Sequence, residues 1–333
     1  MKYRPLGRTG LKVSEIGFGC GPTAGLMVHG SPEDRRSAVA RALAHGINYF
    51  DTAPGYGNSL SEKNLGETLR ALNAQPIVAT KVALSIEELQ DIAGAVGRSV
   101  EGSLARLGLS RIPLIQLHNR VAPRRAAKPE FGTGALLSVD DVLGPDGVVA
   151  AFQSLRARGL VGSFGCSAYG GEMKSVERLI DSGAFDALIV NYSVLNPSAW
   201  RPLDVGSGLR DYAGIGARAA QSGMGVIALR VLEGGVLAGP AAHKPGTAAR
   251  TAPDSGLLME RARSLAARLG AAGDDLSRLA IRFALSNPEV STALIGFSDP
   301  QQVEDAAQAA ALGTLDQSML EPIAAAVRDR RSS

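Results

Sequence analysis

Eight short, β-rich apolar runs recur along the chain, each followed by a stretch with helical apolar spacing, and this alternation limits the possible folds more than any other feature. The runs lie at 15–19, 48–51, 77–81, 114–118, 163–166, 187–191, 225–229 and 292–295. Strand–helix alternation implies parallel pairing, because a parallel neighbour is reached only by a right-handed crossover over the sheet face. The 333 residues give eight units about 42 residues each, room for strand, loop and helix, so a closed (β/α)8 TIM barrel is expected. No linker, repeat or low-complexity tract divides the chain, and residues 1–333 are read as one domain.

Local signals punctuate the helices. Ser31-Pro32-Glu33-Asp34 supplies an N-cap, a proline at the first helical position and early acids, and Gly46 ends that helix. Ser61-Glu62 and Ser85-Ile86-Glu87-Glu88 read as two further helix starts, and Asp299-Pro300 opens a late one. Residues 2–4 and 11–13 flank Gly7-Arg8-Thr9-Gly10 as a small hairpin, expected to cap the barrel bottom. Long loops at 120–147, 197–208 and 239–254 all leave the C-terminal ends of strands, the face where such barrels place active sites. A helix at 257–269 has apolar spacing suited to core packing.

Composition removes several classes. Thirty-five Lys+Arg against 32 Asp+Glu leave a net charge of +3, which makes no electrostatic case for nucleic acid or an anionic membrane. No run reaches the ~18 apolar residues that span a bilayer. The first residues lack the apolar core of a secretory signal, so a cytoplasmic protein is expected. Two cysteines, Cys20 and Cys166, make neither a disulfide framework nor a Cys-based zinc site, and the four histidines show no metal-ligand pair. No metal is expected, and the expected partner is a small-molecule substrate. The sequence carries no signal for oligomeric state.

Asp51, Lys81 and His118 end the second, third and fourth runs, and Tyr56 follows Asp51 by five residues. Each has a bland reading by itself: a helix cap, a solvated charge, a structural donor. Together they share one rim of an otherwise apolar barrel. A buried Lys81 beside Tyr56 is expected to favour the phenolate and lower the tyrosine pKa from its ordinary value near 10. Burying Lys81 alone is expensive, so Asp51 is expected to pair with it. His118 would align a carbonyl with the Tyr56 hydroxyl. Such a set moves a proton at a carbonyl or alcohol oxygen but holds no electrons, so redox chemistry needs a hydride-carrying cofactor.

The stretch Gly46-Ile-Asn-Tyr-Phe-Asp51-Thr-Ala-Pro-Gly-Tyr56-Gly-Asn-Ser-Leu-Ser61-Glu62, followed by Gly66, resembles the aldo-keto reductase signature. Ala79-Thr80-Lys81, Leu117-His118-Asn119, Gly165-Cys166-Ser167, the opening hairpin and Ile295-Gly296 with Gln302-Val303-Glu304 extend the resemblance over nearly the whole chain. It implies an oxidoreductase moving a hydride between NAD(P)H and the carbonyl of an aldehyde, ketone or sugar. Asp51, Tyr56, Lys81 and His118 would be its catalytic set, with Tyr56 as general acid. Gly19, Cys20, Asp51 and Ser167 would lie along the nicotinamide end of the cofactor. Leu229, Arg230 and Leu232 would meet the diphosphate, and Gly296, Ser298, Gln302 and Asp305 the adenosine end. Met27, Tyr169 and Trp200, with Tyr56 and His118, are candidate walls of the substrate pocket.

Three positions depart from the family's commoner pattern. Ala168 replaces an asparagine, Ile189 a glutamine and Leu229 an aromatic residue, which makes nicotinamide recognition more apolar. Ser298 stands where a basic residue often meets the 2′-phosphate, while His243, Lys244 and Arg250 offer that charge from another loop. NADP is therefore expected ahead of NAD. The other readings are a Schiff-base lyase using Lys81 and a cofactor-binding regulatory subunit.

Overall fold

The computed structural model describes residues 1–126, 134–201, 203, 206–238, 255–270 and 273–328. Two short strands come first, β1 (Tyr3–Pro5) and β2 (Lys12–Ser14), paired antiparallel. The eight runs then form β3 (Ile16–Gly19), β4 (Tyr49–Asp51), β5 (Ile77–Val82), β6 (Ile112–Leu117), β7 (Val161–Ser167), β8 (Ala187–Asn191), β9 (Gly225–Leu229) and β10 (Val290–Gly296). All eight pair in parallel and in chain order, and β10 closes onto β3, giving a (β/α)8 barrel. Closure leaves no free sheet edge among them.

Helices α1 (Leu26–His29) and α2 (Pro32–Ala44) follow β3, α3 (Leu60–Ala71) follows β4, and α4 (Ile92–Leu107) follows β5. The Ser31 side chain accepts from the Asp34 backbone N–H at 3.0 Å, so the start of α2 is the cap read from the sequence. The start expected at Ser85 differs. Ser85 and Glu88 exchange the reciprocal bonds of a capping box, but they open only a 3-10 turn, Glu87–Gln90. Asp91 then recaps the chain into α4 through Gly94. The loop at 120–147 also holds α5 (Val139–Leu143), opened by a full capping box between Ser138 and Asp141. Helices α6 (Val148–Ala157), α7 (Met173–Asp181) and α8 (Ile215–Gln221) cover β6 to β8. Then come α9 (Ser255–Leu269), α10 (Gly273–Leu285), α11 (Pro300–Ala311) and α12 (Gln317–Arg328). Leu258, Ala262 and Leu265 of α9 are buried against α10 and α12, the packing role expected of that segment.

Strand alternation sorts two cores. Tyr49, Ala79, Leu114, Ala187, Ile189, Ile227 and Leu294 point inward and fill the barrel, while the outward residues meet the helices. Leu6, in the hairpin turn and fully buried, plugs the interior from below. It lies against Gly225 so closely that a Cβ there would sit 2.6 Å from the Leu6 carbonyl carbon. Arg4 bolts the hairpin to the base by donating to the carbonyls of Leu285, Asn287 and Val290 at 2.7 to 2.9 Å. The bottom is thus sealed, which leaves the C-terminal strand ends as the open face. No described helix is long and apolar enough to cross a membrane.

Candidate active site

Inward alternation along β4, β5 and β6 builds the centre of the open face. Tyr49 and Asp51 share the inner side of β4, Ala79 and Lys81 that of β5, and Leu114 and Gln116 that of β6. His118 lies one residue beyond β6 and stays in register through its N–H, which donates to the Val82 carbonyl at 2.8 Å. Asp51 and Lys81 are each 1% exposed and form an ion pair through Asp51 Oδ1. Lys81 Nζ also donates to the Thr52 carbonyl at 2.8 Å and the Tyr56 hydroxyl at 3.2 Å. All three ammonium hydrogens therefore have acceptors.

Tyr56 reaches this cation from the turn between β4 and α3. That turn runs through three consecutive left-handed residues, Gly57, Asn58 and Ser59, with φ of 59°, 49° and 71°. Left-handed backbone is costly outside glycine and persists where surrounding structure imposes it. Ser61 imposes part of it by donating to the Cys20 carbonyl at 2.9 Å and meeting Thr52 Oγ1 at 2.8 Å. Glu62, fully buried, bonds Thr80 Oγ1 at 2.6 Å and Arg106 Nε at 2.6 Å, tying α3 to β5 and α4. Half of the signature stretch is thus a clamp for the half that carries the ionisable groups.

Electrostatics refine the expectation for Tyr56. Burial raises its pKa above the ordinary value, the Lys81 charge pulls it back, and Asp51 opposes that pull; the net direction is upward. The lowering expected from the sequence is overturned because desolvation of the phenolate outweighs the neighbouring cation. Burial also disfavours the charged Lys81, but Asp51 and Tyr56 outweigh it and hold the ammonium protonated. Burial and then Lys81 push His118 well below its usual range, so the imidazole is neutral at physiological pH. A Schiff base needs a neutral, accessible amine, and Lys81 offers neither.

The sequence reading passed over two partners of Asp51. Gln116 Nε2 donates to its Oδ2 at 2.7 Å and Tyr49 OH approaches the same oxygen at 3.4 Å. Both stand two residues before a predicted site residue, hence on the same inner face, and that spacing was the available signal. Asn119 is a structural clamp: its amide joins the Leu84 N–H and carbonyl to the Ala135 carbonyl at 2.8 to 2.9 Å.

The remaining candidates divide. Tyr169 is brought to the centre, its ring 5.9 Å from that of His118 and its hydroxyl donating to the His118 carbonyl at 3.2 Å. The His118 and Tyr56 rings meet edge-on at 5.7 Å. Gly19, Ser167, Leu229 and Gly296 end β3, β7, β9 and β10 on this same face. Cys20 follows Gly19, and its N–H donates to the Asp51 carbonyl at 2.9 Å. Burial raises the thiols of both cysteines, Cys166 to about 12, so neither is a ready nucleophile. Arg230 and Leu232 lie just beyond β9, Arg230 with φ of 57°. Ser298 and Gln302 bond each other at the start of α11, and Asp305 follows on that helix. His243, Lys244 and Arg250 lie outside the described residues.

Two substrate-wall expectations are corrected. The Trp200 ring packs tilted against Tyr192 with centroids 4.5 Å apart, and its Nε1 donates to Glu289, the residue before β10. That places it outside the barrel, toward the N-terminal end of β10, because the loop after β8 folds back over α8. Met27 is only 1% exposed and packs in the outer core of α1, with its carbonyl bound by Asn64 at 2.7 Å.

A nicotinamide dinucleotide suits this face on one structural ground: the Ser167 Oγ at the mouth is buried without a hydrogen-bond partner, so the apolar rim keeps polar capacity for a ligand. The sequence profile of the aldo/keto reductase family matches residues 15–328. The chain belongs to the aldo/keto reductase family. It is accordingly an oxidoreductase of the aldo-keto reductase kind. This aldo/keto reductase is 30% identical over 311 residues to L-galactose dehydrogenase of Arabidopsis thaliana, covering 92% of this chain and 86% of that protein. It is 26% identical over 334 residues to pyridoxal 4-dehydrogenase of Microbacterium luteolum, covering 90% of each. The holo form of the aldo-keto reductase AKR11C1 from Bacillus halodurans shares the fold, with a TM-score of 0.71 at 24% identity over 98% of this chain and 96% of that one.

Proposed function

We propose that the protein interconverts an aldehyde, ketone or sugar carbonyl and its alcohol, with Tyr56 as the group that gives and takes the proton. The carrying observation is the chain Asp51–Lys81–Tyr56, in which a buried ammonium donates to the tyrosine hydroxyl at 3.2 Å. The bound NAD(P)H would supply the hydride. In reduction, Tyr56 donates its proton to the carbonyl oxygen as negative charge develops there, and Lys81 stabilises the phenolate left behind. Asp51 keeps Lys81 charged, while Gln116 and Tyr49 hold the second Asp51 oxygen, so the carboxylate anchors the cation and is not itself a base. Neutral His118 has a ring edge available to donate to the same carbonyl oxygen, and Tyr169 fixes its backbone. In oxidation the same groups run in reverse, with Tyr56 as base.

Gly19, Cys20, Asp51 and Ser167 are assigned to the nicotinamide end, and Leu229, Arg230 and Leu232 to the diphosphate. Gly296, Ser298, Gln302 and Asp305 are assigned to the adenosine end, with NADP preferred to NAD. The names of the two relatives, L-galactose dehydrogenase and pyridoxal 4-dehydrogenase, point to a sugar and an aromatic aldehyde and support a small polyol or aldehyde as substrate. The test is loss of NADPH or NADH absorbance against a panel of aldoses, aromatic aldehydes and small ketones. Turnover of at least one is expected; no turnover of either cofactor with any of them would overturn the reading.

A further inference from the structure

Two arginines from different loops meet at the turn that follows β7. Arg120 lies two residues beyond His118, and its side chain runs over Gly170, where a Cβ would sit 2.0 Å from the Arg120 Cδ. Arg210 comes from the long loop after β8. Its guanidinium donates to the Gly171 carbonyl and lies over the Tyr212 ring, 5.8 Å from the ring centre. Tyr212 is itself 3% exposed and is held by the Asn191 amide at 2.6 Å, so this platform is fixed. The residue before the turn is Tyr169, whose hydroxyl donates to the His118 carbonyl and whose ring stands 5.9 Å from the imidazole. The arginine pair is thus one aromatic side chain away from the residue assigned to align the reacting carbonyl.

Bringing two guanidinium groups to one turn is unfavourable by itself, and each stays charged at any working pH. Burial lowers the pKa of Arg120 from its usual value, Tyr169 opposes that, and the Arg210 charge adds to it. The neighbouring acids are turned elsewhere. Glu172 caps α7 by accepting from the Ser175 N–H and hydroxyl at 3.0 and 2.6 Å. Asp211 accepts from the Ala213 N–H at 2.8 Å, and Glu233 accepts from the Ser193 hydroxyl. Among the described residues the Arg210 guanidinium meets a carbonyl and a ring but no carboxylate. Converging guanidinium forks are the arrangement that carboxylate and phosphate recognition uses.

We propose that Arg120 and Arg210 bind an anionic group, a carboxylate or a phosphate monoester, on the end of the substrate remote from its reacting carbonyl. The inference rests on the carbonyl-reduction reading above and narrows its substrate class to short oxo-acids or sugar phosphates. A spacer of a few carbon atoms passes Tyr169, which walls the path between the two ends. Neither arginine meets the reacting atoms: the pair sets KM for the charged substrate and leaves proton transfer to Tyr56.

Steady-state kinetics test this with two matched pairs: succinic semialdehyde against its methyl ester, and glyceraldehyde 3-phosphate against glyceraldehyde. The wild type is expected to favour the anionic member of at least one pair by about tenfold in kcat/KM, carried by KM, the worth of one charge-assisted hydrogen bond. The pair that shows the preference identifies the anion. That ratio should fall as salt is added. Arg120→Gln and Arg210→Gln should each bring it to within about threefold of unity, whereas Arg210→Lys, which keeps the charge, should retain part of it. The subsite is overturned if an enzyme active on any neutral carbonyl prefers neither anion, if the preference survives in either glutamine variant, if salt leaves it unchanged, or if Arg210→Lys loses it as fully as Arg210→Gln. An enzyme that turns over no carbonyl with NADPH or NADH would instead overturn the proposed function, and the subsite with it.

Discussion

At Lys81 the cost of burying a charge and the use made of it are the same fact. An ammonium 1% exposed is tolerable only because Asp51 balances it and the Thr52 and Tyr56 oxygens take its other hydrogens. Removing the balance should be expensive: Asp51→Asn is expected to lower unfolding free energy by about 3–5 kcal/mol, measured in urea, by leaving a buried cation uncompensated. The upward shift of Tyr56 sets a pH signature. A group held above its ordinary value stays protonated through pH 9, so kcat/KM for reduction should be flat from about pH 6.5 to 9, as neutral His118 adds no ionisation there. Alcohol oxidation needs the phenolate and should rise with pH over the same span. Paired pH–rate profiles check this, and an ionisation near pH 7 in the reductive direction would contradict it. Asp51, Lys81 and His118 were legible because each ionisable group interrupts or follows an apolar strand end, and Tyr56 because it follows Asp51 by five residues. The sign of the Tyr56 shift was not, because it depends on how far the ring is desolvated, which sequence spacing does not encode.

At the scale of elements, the β4–α3 connection shows how a local sequence becomes a positioned side chain. Glu62 is buried in order to hold α3 against β5 and α4, and Ser61 holds the turn against β3. Glu62→Ala strands the Arg106 guanidinium and the Thr80 hydroxyl; we expect a loss on the order of 3 kcal/mol in thermal or urea unfolding. The β4–α3 turn should loosen with it and kcat fall, which a melting curve and an activity assay on the same sample would separate. Strand positions could be read in advance because apolar runs bounded by turn residues have few other readings. The 3-10 turn at 87–90 could not, since Ser85 and Glu88 carry the same capping signal whichever helix they open. The place of Trp200 is not legible for a related reason: a loop that leaves the open face need not stay there, and Tyr192 and Glu289 draw the indole down the outside.

Across the whole molecule the two ends of the barrel are separated by role. The hairpin, Leu6 and Arg4 close the base, and the ionisable groups sit at the opposite mouth. Arg4→Ala abandons three carbonyl partners and should cost about 2–3 kcal/mol of stability while leaving kcat/KM at 25 °C unchanged, a split between melting temperature and turnover that tests the division. Fold class was legible because eight strand–helix units admit few closed arrangements. The partners of Asp51 were not, because Gln116 and Tyr49 look like barrel filling until the layers are stacked in space.

The central claim is that Tyr56 moves the proton. Tyr56→Phe removes one oxygen from a ring already packed beside Lys81 and His118. With wild type and variant compared on one carbonyl substrate, cofactor Kd should stay within about twofold while the rate of carbonyl reduction falls by about 10²–10⁴. An unchanged rate in the variant, at equal cofactor affinity, would contradict the account.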